Sequence, residues 1–129
     1  LIVLDTHTLL WAALEPERLS ATAASAIDSE PERAISAITV QEVAYLVARE
    51  RVDLYRPVRI WFGDVLSAFE AQALPATVAI ALRAGSLDPA EFHGDPIDRL
   101  IYSTAVEHDA KLISADERLR KLDPDRVVW

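Results

Sequence analysis

"LIVLDTHTLLW", residues 1–11, sets four apolar residues against an aspartate and then runs on as an apolar segment with helical spacing. A short unbroken apolar run reads as a strand buried on both faces. Asp5 therefore stands where a buried strand ends and a helix over about 6–14 begins. "LISADERL" at 112–119 repeats the arrangement, with Asp116 as the acid. Two such junctions predict parallel strands whose carboxyl ends carry an aspartate each.

Working outward, short β-like runs alternate with helical ones. A helix over 20–29 opens on Ser20 as N-cap. "RAIS" at 33–36 is a strand, and "AITVQEVAYLVARE" at 37–50 a helix. The connector "RVDLYRP" puts Pro57 at the first turn of a helix running to Phe69. "AQALPA" at 71–76 is a weak strand, and "TVAIALRAG" a helix ended by Gly85. The loop 86–95 leads to a helix over 96–109, opened by Asp95 and Pro96. A strand at 110–114, a helix at 116–122 and a strand at 126–129 follow. The expectation is one α/β domain over residues 1–129, with a central, mostly parallel sheet flanked by helices. In such sheets ligands bind outside the carboxyl ends of the strands.

Apolar residues make up 51% of the 129, cysteine is absent, and 21 acids against 13 Lys and Arg give a net charge of −8. Without cysteine, any metal is expected on oxygen or imidazole. Neither a membrane span nor a secretory leader is expected, which fits the cytoplasm. The charge argues against a simple nucleic-acid binder, which usually presents a basic face. It argues less against a nuclease whose acidic pocket is offset by cations, and an acidic surface also suits a basic partner.

Four acids carry the candidate chemistry, each with a plainer reading beside it. Asp5 and Asp116 are well placed as helix N-caps, a role that leaves part of the carboxylate available. Glu42 lies on one helical stripe with Ile38 and Leu46, where an ionised glutamate is costly unless paired, bound to metal or at the stripe's wet edge. Asp98 adjoins the inward face of its helix, or completes a capping box with Asp95. If the four converge, their repulsion calls for a cation, and hard oxygen ligands select Mg²⁺ or Mn²⁺. Phosphoryl chemistry is the natural use of such a site.

Thr6 and Ser114 flank two of the acids and are placed to support them or simply to cap. Arg99, Arg118, Arg120 and Lys121 could meet phosphate or lie on a solvated face. His7, His93 and His108 show no metal-binding spacing. A Gly-rich phosphate loop and a GxSxG nucleophile motif are both missing.

These residues in this order resemble the PIN-domain ribonucleases, specifically the VapC toxins of VapBC toxin–antitoxin pairs. "LDTHTLLW", "SAITVQEVA", "HGDPIDRLIYSTA", "LISADERL" and the closing "VVW" carry the resemblance, essentially end to end. It implies a PIN-like three-layer fold and a Mg²⁺-dependent endoribonuclease, with Mn²⁺ as a substitute and Asp5, Glu42, Asp98 and Asp116 as its acidic site. It further implies a homodimer and a VapB-like antitoxin whose tail covers the site. Thr6, Ser114, Asp95 and Arg99 are the residues expected to support the acids or touch RNA, with His93 at the rim. Gly94 stands where many relatives have Arg, Ser114 where Thr is common, and Arg118 where some PIN domains carry another acid. That last departure bears on a second metal.

Three rivals remain. A phosphatase using Asp5 as nucleophile would need an acid at position 7, which is His. A PIN nuclease of RNA processing is another, and a catalytically weak interaction module the third.

Overall fold

The computed structural model describes residues 1–92 and 94–129. Its strands are β1 (Ile2–Leu4), β2 (Arg33–Ser36), β3 (Ala71–Leu74), β4 (Lys111–Ile113) and β5 (Val127–Val128). The helices are α1 (Thr6–Leu14), α2 (Ala21–Ser29), α3 (Ala37–Ala48), α4 (Val58–Ala68), α5 (Val78–Ser86), α6 (Pro96–Glu107) and α7 (Glu117–Leu122), with a 3₁₀ turn at Pro16–Arg18.

All strand pairings are parallel, in the order β3-β2-β1-β4-β5. The chain steps from β1 outward to β2 and β3, then returns to lay β4 on β1's other side. The crevice at this reversal, outside the carboxyl ends of β1 and β4, is where such sheets bind ligands.

β1 is apolar throughout because both of its faces are covered. Ile2 and Leu4 join the core formed with Leu9, Ile27, Val43, Trp61 and Phe62, while Val3 points to the other, with Phe92, Ile101, Ala105 and Leu112. Period-two alternation thus serves two cores from three residues.

Several boundaries differ from the sequence reading. Gly85 lies inside α5, which continues to Ser86 and turns out through an extended Leu87. Among the described residues no glycine has a positive φ; Glu50, Tyr55, Glu70 and Asp109 take that conformation. Three of these follow α3, α4 and α6, closing helices where glycine is the usual residue. Pro57 is the N-cap of α4 rather than a residue of its first turn. β3 stops at Leu74, since Pro75 has no N–H to donate. Among the described residues no helix is long and apolar enough to cross a membrane.

Candidate active site

Asp5 follows β1 directly. Its backbone N–H donates to the Ile113 carbonyl at 3.1 Å, which fixes the β1–α1 turn against the end of β4. The Thr8 hydroxyl donates to the same carbonyl at 2.8 Å, one turn into α1. As N-cap, Asp5 accepts from Thr6 N–H at 2.7 Å through Oδ1. Its Oδ2 accepts from the Ser114 hydroxyl, also at 2.7 Å.

Ser114 ends the β4 side of the crevice. While donating to Asp5, its Oγ accepts the Asp116 N–H at 3.2 Å. One fully buried hydroxyl thus joins the two strand-end aspartates. Asp116 caps α7 by accepting from Arg118 N–H at 2.8 Å. It also takes the Arg118 guanidinium, at 3.2 Å from Nε and 2.8 Å from Nη2. Arg118 Nη2 lies 3.9 Å from Asp98 Oδ2, so one cation spans both acids.

Asp98 comes from the first turn of α6, which Asp95 caps by accepting from Ile97 N–H at 2.8 Å. Asp98 and Asp116 keep 24% and 20% of their side-chain exposure, open enough to meet solvent or ligand. Glu42, on α3, is half-buried, as are Ile38 and Leu46 on its stripe. The start of α3 is held by Ser36, whose Oγ accepts from Ile38 N–H and lies 3.1 Å from Thr104 Oγ1 of α6.

Burial raises the pKa of Asp5 above the ordinary carboxylate value, and the Asp98 charge adds to it; the bonds from Ser114 and Thr6 oppose the shift. Glu42 is raised too, first by burial and then by the charges of Asp5 and Asp98, against the opposing Thr6 hydroxyl and His7. Thr6 Oγ1 is buried with no partner at hydrogen-bond distance, so it acts on Glu42 as a nearby dipole. Asp5, Glu42 and Asp98 therefore feel one another's charge, and Ser114 ties Asp116 to Asp5.

Carboxylate oxygens that repel one another and a buried, unpartnered hydroxyl suit a hard divalent cation. Among the described residues, no three acids or imidazoles are already arranged around a common point. It is the donor chemistry that fits, with Asp116 turned onto Arg118 instead.

Other candidates fall elsewhere. Arg99 braces α5, donating to the carbonyls of Ala84 at 2.9 Å and Leu87 at 2.5 Å, with its guanidinium 5.7 Å from the Phe92 ring centre. These bonds tie its guanidinium to the end of α5. His93 lies outside the described residues. Thr8 and the counter-ion role of Arg118 went unread in the sequence. The signal for Arg118 was available, since a cation two residues after an N-cap aspartate sits above its carboxylate.

The sequence pattern of the PIN domain matches residues 2–124. The chain belongs to the PIN-domain family, and within it to the VapC proteins. It is 41% identical to Ribonuclease VapC22 of Mycobacterium tuberculosis over 130 residues, covering 99% of this chain and 98% of that one. Among solved structures, VapBC2 of Rickettsia felis, bound to a DNA fragment from its promoter, superposes with a TM-score of 0.71 at 16% identity, covering 98% and 96% of the two chains. FitAcB of Neisseria gonorrhoeae gives 0.68 at 21%, with the same coverage. At such identities these two likenesses speak to the fold.

Proposed function

We propose that the 129 residues act as one PIN domain and as the endoribonuclease toxin of a toxin–antitoxin pair. In this reading Asp5, Glu42, Asp98 and Asp116 hold Mg²⁺, or Mn²⁺ in its place, and cleave RNA in the cytoplasm. The observation that carries the site is the Ser114 hydroxyl between Asp5 and Asp116, at 2.7 and 3.2 Å, in the crevice between β1 and β4. The 41% identity to a named ribonuclease carries the activity.

The cation, when bound, supplies Lewis-acid chemistry to the phosphodiester and a water. The chain's own residues supply the rest. Ser114 and Thr6 N–H fix the Asp5 carboxylate, leaving lone pairs for a ligand. Glu42, on α3, feels the charge of Asp5 and adds a further carboxylate for the cation. Arg118, 63% exposed and already among the acids, is placed to meet an incoming phosphate. A homodimer and a VapB-like antitoxin complete the reading, and the exposed Val78 and Leu82 on α5 offer apolar surface for a second copy.

Purified protein incubated with mixed cellular RNA, with Mg²⁺ or Mn²⁺ and with EDTA, beside Asp98→Asn, tests this directly. Discrete fragments that vanish with EDTA and with the variant are expected. Cleavage surviving both would sink the acidic site.

A further inference from the structure

A groove of about 630 Å³ runs between α1 and the connector that follows α3. His7, Trp11, Arg18, Arg51 and Tyr55 line it, over a floor that includes Leu10. One end lies near the acids, because His7, which lines it, stands two residues after Asp5 in the first turn of α1. No role described above uses it.

Its walls are aromatic and cationic. The His7 and Trp11 rings are 5.8 Å apart, and Trp11 is 5.6 Å from Trp129, all tilted. The Arg18 guanidinium sits 4.5 Å from the Trp11 ring centre. On the opposite rim Tyr55 is 86% exposed and held at φ 58°, where its N–H donates to Asp53 Oδ1 at 2.7 Å. A bulky residue in that conformation is uncommon, and here it presents a bare aromatic ring to the groove. Glu15 and Asp53 also line the groove. Glu15 pairs with Arg18 at 3.6 Å, while Asp53 binds the Tyr55 backbone. Arg51 makes no ion pair or side-chain hydrogen bond among the described residues.

We propose that this groove is a nucleobase subsite for single-stranded RNA, beside the acids. A base stacks on the exposed Tyr55 ring in the groove that Trp11 also lines, and Arg51 meets a flanking phosphate. Aromatic faces joined to cations are how proteins hold unpaired nucleotides, and stacking tolerates any base. Glu15 is taken up by Arg18 and Asp53 by the Tyr55 backbone, so among the described residues Arg51 is the cation left in the groove to meet a phosphate. The subsite rests on the ribonuclease reading and gives it a substrate class.

The test uses metal-free protein in EDTA and a fluorescent 2′-O-methyl RNA decamer of mixed sequence, read by anisotropy. Tyr55→Ala is expected to weaken binding about 5- to 150-fold, the range of one base–aromatic stack. Arg51→Gln is expected to lower the slope of log affinity against log salt by about 1. Both side chains are exposed, so neither change threatens folding. In a parallel arm with Mg²⁺, wild-type protein cleaves mixed RNA and Tyr55→Ala raises KM more than it lowers kcat. If wild-type cleaves while both variants bind and cleave as it does, the subsite is overturned and the nuclease stands, leaving the groove to a peptide. If wild-type neither binds nor cleaves RNA, both readings fall together.

Discussion

The β1–α1 and β4–α7 turns begin alike and end differently. Each follows a central strand, and each places an aspartate as N-cap of the next helix. Asp5 is sunk into the crevice, bonded to Ser114 and the Thr6 N–H, with its pKa pushed upward by burial. Asp116 lies further out, three residues past its strand rather than one, and carries Arg118 on both oxygens. That extra distance from the strand end lets a long side chain reach around the cap and neutralise it. Residue type and strand position alone therefore do not fix an acid's electrostatics.

The largest expected effect is on cleavage. Asp5→Asn should cut the rate at least about 100-fold, and Asp116→Asn about 10-fold, since removing even supporting groups at a metal site typically costs 10- to 100-fold. Equal losses, measured on the same RNA, would erase the distinction between the two turns.

Stability of the metal-free protein sharpens the comparison. A folded-state pKa above the ordinary carboxylate value means that the folded protein keeps a proton the unfolded chain releases. The stabilisation is complete below the unfolded value of 3.8 and is lost as pH rises through the raised one. Asp5→Asn should therefore raise the Tm at neutral pH, and the gain should shrink as the pH is lowered toward 3.8. Asp116→Asn should move the Tm little at any pH, because Asn caps as well as Asp and exposed ion pairs are weak. A Tm for Asp5→Asn below wild-type at pH 8 would contradict this.

Two smaller effects follow. Thr8→Val removes the hydroxyl bond to the Ile113 carbonyl, and urea unfolding should register a loss of about 1 kcal/mol. Arg118→Gln should change stability by less than about 0.5 kcal/mol. Calorimetry with Mn²⁺ should nevertheless show tighter binding to that variant, since a competing cation has gone. Weaker binding would mean that Arg118 organises the acids rather than occupying them.

The sequence revealed the fold well because the two strongest signals, apolar runs and caps, are local. β1 and β4 had to be apolar on both faces, and Ser20, Asp95 and Asp116 cap where their residue types predict. The helix after β3 was misjudged at its end because Gly85 suggested a stop, whereas α5 uses it as an interior residue. Among the supporting residues, Ser114 could be suspected from its neighbour. The fate of Arg99 could not, since its partners at Ala84 and Leu87 come from another helix. Charge pairing across elements depends on tertiary distance, which a single sequence does not carry.

The bond from Ser114 to Asp5 closes over 109 residues of chain. β1 is the first strand of the sheet to be made yet stands at its centre, flanked by β2 and by β4, the fourth. At translation rates of roughly 5–20 residues per second, Asp5 waits about 5–20 s for the strand that completes its turn. Until then the growing chain holds Asp5 apart from Ser114 and Asp116, so the crevice has only one of its walls. The two strand-end aspartates are therefore joined only after β4 has been made and has docked beside β1.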